Sequence, residues 1–215
     1  MNKFNEFCKK AINGVILSSI MLACTDTKQE MEETNFFKEY QTPHKTIPFD
    51  KIRLEDYLPS VKEAIKRHDA EIEAIVNNPN PANFENTIVA LERSGKYLSR
   101  VQYAFYNLLS AETSAEMDSI ANEISPLETE HSNNITLNEN LFKRIAEVYA
   151  QKDSLNLTNE QRQLLQKQYD MFVNNGANLS AENKEIYRKL CKKISLLELQ
   201  FAQNVLNATN QYKLV

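Results

Sequence analysis

Residues 84–95 read FENTIVALERSG, and residues 96–111 continue as KYLSRVQYAFYNLLSA. Apolar side chains recur along both ranges at the spacing of an amphipathic helix: Ile88, Leu91, Leu98, Val101, Phe105, Leu108 and Leu109. Asn83 is a suitable N-cap, because it follows the helix breakers Pro79 and Pro81. The stretch therefore predicts one long helix that begins after Asn83 and packs against neighbours on more than one side.

The same periodicity, interrupted by capping and stop signals, predicts five further helices. They begin between Leu54 and Leu58, at Thr113, after Asn138, at Thr158 and at Ser180. Four of them end near Asn77, Gln151, Gly176 and Thr209, and Pro126 should kink or split the helix that begins at Thr113. Glycine is scarce, with 3 in 215 residues, which also favours helices. The predicted fold is all-α, an antiparallel array of about six helices.

Two segments flank this helical array. Residues 35–52 contain Pro43 and Pro48 among several aromatic residues, so we expect an extended segment whose rings attach it to the helices. At the other end, Tyr212–Val215 has the pattern of a strand that is just beginning. The pattern predicts that residues 35–215 are the helical region of a larger protein, truncated before its next domain.

Several short segments, taken in order, resemble the thimet-oligopeptidase-like zinc metallopeptidases, and bacterial peptidyl-dipeptidases most of all. The segments that carry the resemblance are Pro48–Ile52, Phe84–Thr87, Leu91–Gly95, Asn107–Thr113, Ile124–Pro126, Ala177–Ser180 and Leu196–Phe201. Together they cover roughly residues 35–215. The resemblance implies the N-terminal part of a peptidase that cleaves short peptides, in which these helices form one wall of the substrate channel.

That family holds its zinc with a His-Glu-x-x-His helix and a further Glu, and the Glu inside the motif acts as the base on a metal-bound water. The chain has only His44, His68 and His131, of which no two are four residues apart. No catalytic residue and no zinc ligand of the family can therefore be assigned to this chain. We expect the full-length enzyme to bind zinc through its missing catalytic domain, and this chain alone to be inactive.

Other candidate sites in the sequence have ordinary structural interpretations. Glu128 and His131 form a Glu-x-x-His pair, but a di-iron bundle needs two such pairs. His68 lies among charged residues and is predicted to sit on a solvated helix surface. The aromatic cluster around Tyr103 could line a peptide groove, although core packing is the preferred interpretation. Cys191 is predicted to be a small buried residue.

Residues 1–24 have a charged start and then an apolar run too short to span a membrane, as in a signal peptide. The run ends in MLAC, which resembles a bacterial lipoprotein cleavage site with Cys24 as the lipidated residue. Residues 25–34 are polar and read as a tether. The prediction is a membrane-anchored lipoprotein of the cell envelope, periplasmic or outward-facing, and the alternative is an ordinary cleaved signal with secretion to the periplasm.

The net charge is −4, of which residues 1–24 contribute +2 and the remainder −6. Such a mildly acidic domain is not expected to bind nucleic acid. Two functions stay open. The first is a part of a zinc peptidase, either a peptidyl-dipeptidase or an endo-acting oligopeptidase, with short peptides as substrates. The second is a non-catalytic helical lipoprotein that binds or scaffolds other proteins.

Overall fold

A computed structural model describes residues 35–213, which are mostly helical. The helices are α1 (Leu54–Val76), α2 (Ala90–Arg93), α3 (Lys96–Ala111), α4 (Ala115–Thr136), α5 (Glu139–Ala150), α6 (Asn159–Asn174) and α7 (Ala181–Gln211). A π-helical segment, Phe84–Val89, leads directly into α2. The described residues contain no strand, and the all-α prediction is confirmed.

The buried side chains form two cores that share α1. The first core lies between the N-terminal half of α1, α3 and the start of α4, and its largest members are Phe36, Tyr57, Phe105 and Ile124. The second core lies between the C-terminal half of α1, the π-helical segment, α5 and α6. Its largest buried members are Ile88, Leu141, Ile145, Leu165 and Phe172.

The predicted single helix over residues 84–111 is wrong, because the chain breaks at Ser94 and Gly95. Ser94 has an extended backbone (φ −73°, ψ 162°), and Gly95 is left-handed (φ +70°). A left-handed residue cannot continue a right-handed helix, and glycine is the residue that adopts this conformation without a steric penalty. Apolar spacing continues across the break, so periodicity alone does not reveal it. The N-cap prediction holds, since the Asn83 side chain accepts from Asn86 N at 2.8 Å.

Most other boundaries agree with the sequence predictions. Asn138, Thr158 and Ser180 each accept a backbone N–H at the start of their helices. The predicted start at Thr113 is one residue early, because the N-cap of α4 is Ser114. Pro126 does not split α4, which runs through it without a break.

The segment before α1 consists of three single 3₁₀ turns rather than a uniformly extended chain. Phe36 and Phe37 are buried, and the Phe36 ring lies 5.4 Å from that of Tyr57 between centroids. The aromatic attachment is thus confirmed for these two residues, whereas Phe49 is 48% exposed and does not take part.

The end of the described chain does not form the predicted strand. Tyr212 has an extended backbone, but its N–H donates to Thr209 O and its side chain is 73% exposed. A strand needs a partner to accept and donate its ladder hydrogen bonds, and Tyr212 and Lys213 have none among the described residues. Residues 214 and 215 lie outside the described part.

Helix α7 differs from the others because its apolar side chains face outward. It packs along α4, yet a row of large apolar residues on its other side is about half exposed. We call this row the α7 face, and its members are Ile186, Leu190, Ile194, Leu197, Phe201 and Val205. Among the helices of residues 35–213, none combines the length and the apolarity needed to span a bilayer.

Candidate functional site

A layer of polar side chains separates the two cores at the level of the helix break. In this layer His131 Nε2 lies 2.9 Å from His68 Nδ1, and His68 Nε2 lies 3.0 Å from Ser94 Oγ. His131 Nδ1 is 3.0 Å from the Asp69 carboxylate. The four side chains form a continuous polar chain from α4 through α1 to the break between α2 and α3. We call it the histidine chain.

The hydrogen bonds of the histidine chain can be assigned by following its protons. The Asp69 carboxylate lies at ion-pair distance from His131 Nδ1 and can only accept, so it favours a proton on that nitrogen. If His131 is neutral, its Nε2 accepts from His68, whose other nitrogen then accepts the hydroxyl proton of Ser94. When one proton is added, His131 Nε2 donates to His68 Nδ1, and His68 Nε2 donates to Ser94 Oγ. The Ser94 hydroxyl then donates to Leu91 O, 2.7 Å away. The chain therefore stays bonded in two protonation states.

Burial sets which of these states dominates. Burial lowers the pKa of His131, opposed by the nearby Asp69 carboxylate. Burial also lowers the pKa of His68, and the neighbouring His131 lowers it further. Both effects favour the state in which neither ring is charged. The histidine chain is therefore a neutral polar link between helices at neutral pH, and it gains a proton only in acid.

A second contact from α1 fixes the break itself. The backbone N–H of Gly95 donates to the Glu71 carboxylate at 2.7 Å. The ring of His68 also occupies the space that a side chain at position 95 would need, because a Cβ there would lie 2.7 Å from His68 Cε1. Glycine is thus required at this position both for its backbone conformation and for the room it leaves.

The histidine chain does not fit a zinc site. Its two facing nitrogens already bond each other, and structural or catalytic zinc takes at least three protein ligands. Within residues 35–213, no group of three or more His, Cys, Asp and Glu side chains is placed to hold a metal ion. No step of zinc catalysis is therefore assigned to these residues.

The remaining candidates from the sequence take different places. Glu128 does not join His131; it accepts from the Tyr106 hydroxyl at 2.7 Å, and burial raises its pKa. The core packing predicted for the aromatic cluster around Tyr103 is confirmed for Phe105 and Tyr106 but is wrong for Tyr103 itself, which is 69% exposed. Cys191 is half-buried rather than buried. The predicted lipid anchor, Cys24, lies outside the described residues.

The predicted solvated surface for His68 is also wrong, since the ring is half-buried between Ser94 and His131. One sequence signal was available. His68 follows the buried Val61 and Ala64 and precedes the buried Ile72, so it continues the buried stripe of α1. His131 continues the stripe of α4 in the same way. The pairing itself could not be foreseen, because 63 positions separate the two residues.

The chain was compared with known proteins. It is 36% identical to the dipeptidyl carboxypeptidase of Salmonella typhimurium over 167 residues, which are 78% of this chain and 25% of that protein. It is 35% identical to the Escherichia coli dipeptidyl carboxypeptidase over 176 residues, 82% of this chain and 25% of that protein. Oligopeptidase A of E. coli is 26% identical over 168 residues, 78% of this chain and 25% of that protein.

This chain is a homologue of the dipeptidyl carboxypeptidases. The resemblance inferred from the sequence motifs is thereby confirmed. No protein-family model matches the chain. The chain spans about a quarter of the length of the curated relatives it matches.

Proposed function

We propose that this chain is the N-terminal helical region of a zinc-dependent peptidase that cleaves short peptides, as a peptidyl-dipeptidase or an oligopeptidase. The observation that carries the proposal is the 35–36% identity to two dipeptidyl carboxypeptidases over about four fifths of the chain. In this proposal the helices form one wall of the channel that admits the peptide, and the catalytic groups come from the rest of the enzyme.

The α7 face supports the proposal. Helix α7 has 31 residues and is therefore about 46 Å long, at about 1.5 Å per residue. Its exposed apolar row includes Leu190, Ile194 and Phe201, which are 52%, 51% and 70% exposed. A contiguous apolar surface of this kind marks a place where another part of a protein packs. We assign it to the remainder of the peptidase.

Zinc would polarise a bound water for attack on the peptide carbonyl, with ligands from outside this chain. The contribution of the described residues would be shape, because a wall of packed helices excludes folded proteins and admits extended peptides.

The test is to sequence the gene beyond the codon for Val215 and to express the protein that it encodes. We expect an open frame that reaches His-Glu-x-x-His, and a product that contains zinc and releases short peptides in a chelator-sensitive way. The 215-residue chain alone should bind no stoichiometric zinc and cleave nothing. A stop codon confirmed by the mass of the native protein would contradict the proposal and favour the non-catalytic binding or scaffolding lipoprotein.

We further propose that Cys24 is lipidated and anchors the protein to a membrane of the cell envelope. Two or more acyl chains give stable attachment, whereas one does not. Labelled palmitate should enter the protein and should be lost in Cys24→Ser. Unchanged labelling of that variant, or a mature protein recovered in the soluble periplasmic fraction, would indicate an ordinary cleaved signal instead.

A further inference from the structure

A basic groove of about 720 Å³ runs along the surface beside the helix break. Arg93 and Ser94 lie at one end of it, and Lys96, Arg100 and Tyr103 follow along the exposed side of α3. We propose that this basic groove binds acidic peptide segments in an extended conformation. The inference rests on the proposed function in taking a peptide as the occupant.

The positive side chains of the basic groove form no ion pairs with carboxylates among the described residues. Among the described residues, neither Arg93 nor Lys96 takes part in an ion pair or a side-chain hydrogen bond, and Arg100 has no carboxylate partner. Glu92 also borders the groove and keeps its negative charge, because its carboxylate accepts only from the neutral side-chain amide of Gln168. Three cations and one carboxylate thus line the groove, which remains positive on a protein with a net charge of −4.

Arg100 is held in place before any ligand arrives. Its Nη1 donates to the backbone oxygens of Phe36 and Lys38 at 3.0 and 2.9 Å. The guanidinium also lies over the rings of Tyr40 and Tyr97, 4.8 and 5.6 Å from their centroids. These contacts restrain the side chain without cancelling its charge. Because Arg100 is already ordered, it loses little conformational entropy when an anion binds, and this favours binding.

The spacing of the groove residues matches an extended peptide. Lys96 and Arg100 are one helical turn apart, which is about 6 Å along α3 at 1.5 Å per residue. Alternate side chains of an extended peptide point the same way and are about 6.6 Å apart. Two glutamates separated by one residue can therefore face Lys96 and Arg100 together. Tyr103 lies a further turn along and is 69% exposed, so it can pack against an apolar residue that follows.

The occupant is thus an extended segment with alternating carboxylates, followed by an apolar or aromatic residue. The protein as a whole is acidic, with a net charge of −4, so the positive groove is the part of the surface that attracts such a segment. Because exposed ion pairs are weak one by one, the affinity should be modest and should fall as salt is raised.

The probe is a fluorescent peptide, acetylated and amidated at its ends, with two alternating glutamates and a C-terminal phenylalanine. Its binding to the 215-residue chain is measured by fluorescence anisotropy at low salt. The same peptide with glutamine in place of glutamate should bind about tenfold more weakly, the sum expected of two to three exposed ion pairs. The double variant R93E/K96E should reduce binding by a similar factor, and Tyr103→Ala should reduce binding of both peptides.

The control variant is K62E/K143E, which changes the net charge equally at exposed lysines outside the groove and should leave binding unchanged. Three outcomes would overturn the inference. The two peptides could bind equally, the two double variants could lose binding equally, or inorganic phosphate could compete as well as the unlabelled peptide. These outcomes are distinct from a failure of the proposed peptidase, which is judged from the gene and from activity and leaves peptide binding to this chain unaffected.

Discussion

The helical body of residues 35–179 and the final helix α7 use similar apolar residues in opposite ways. In the body, Phe105 and Phe172 are fully buried in the two cores, while in α7 Phe201 is 70% exposed. The apolar residues of the α7 face recur at helical spacing, as they do in the buried helices, but in α7 they lie on the exposed side. The body residues thus pack within the two cores of the described chain, whereas the α7 face is exposed, in agreement with the proposal that the remainder of the peptidase packs on it.

The first prediction tests this difference with a matched pair of substitutions. Phe105→Ala should lower the free energy of unfolding by about 3–5 kcal/mol, because it leaves a cavity beside Tyr57 and Tyr106. Phe201→Ala should change the free energy of unfolding of this chain by less than about 0.5 kcal/mol, because removing an exposed side chain breaks few packing contacts. Denaturant unfolding of both variants measures the two values. A large loss for Phe201→Ala would mean that the α7 face is already covered within this chain.

The second prediction concerns Gly95, the residue on which the join between the two cores depends. Gly95→Ala should cost about 2 kcal/mol, because it forces a left-handed alanine and drives its Cβ into the His68 ring. Gly176→Ala is the matched control, with φ +88° and a Cβ that meets the Leu179 side chain instead. Leu179 is 37% exposed and can move, whereas Ser94 and His131 hold His68 on both sides.

Gly176→Ala should therefore cost less than Gly95→Ala in the same denaturant experiment. Gly95→Ala should also change the histidine resonances of His68, which the control leaves alone. Equal costs for the two variants would contradict the view that the His68 ring is fixed by its partners.

Local signals in the sequence predicted the helices well and the histidine chain poorly. The caps at Asn138, Thr158 and Ser180 depend on residues three positions away, so they can be read from the sequence. The break at Gly95 cannot be predicted from periodicity, because apolar spacing continues across it and a single glycine is tolerated within a helix. The contact between His68 and His131 depends on how α1 and α4 pack, which no local pattern encodes. Charged neighbours of His68 then pointed to the wrong environment.

The third prediction follows from the lowered pKa values of His68 and His131. As pH falls below about 6.5, the ordinary histidine pKa, the unfolded chain takes up protons before the folded chain does. The free energy of unfolding should therefore fall with pH until the lowered folded-state pKa values are passed, at up to about 1.4 kcal/mol per pH unit for each histidine. Above pH 6.5 the effect should vanish.

Glu128 acts in the opposite direction, because its raised pKa makes the folded chain take up a proton first. The comparison is therefore made between the native chain and His131→Gln, in which Glu128 is unchanged. The variant should have a flatter stability profile between pH 5 and 7, measured by denaturant unfolding at each pH. Parallel profiles would show that the histidine chain does not titrate on unfolding.

The last prediction compares the starts of α6 and α7, where the N-cap hydroxyl accepts the same backbone bond, although the N–H of Thr158 also donates to Gln161 Oε1 at 2.9 Å. Thr158 Oγ1 accepts from Gln161 N, and Ser180 Oγ accepts from Asn183 N, both at 3.3 Å. Thr158→Ala should lower the global free energy of unfolding by about 1 kcal/mol, because α6 contributes Leu165 and Phe172 to a core.

Ser180→Ala should have a smaller effect on the global free energy of unfolding. It should instead speed amide exchange in the first turn of α7, because part of that helix can open without unfolding the body. The buried Lys184, which donates to Glu139 Oε1 at 2.9 Å, limits this opening to the residues before it. If both variants lowered the global free energy of unfolding equally, α7 would unfold together with the body. The contacts of α7 with the body would then be enough to keep it folded, although the α7 face stays exposed.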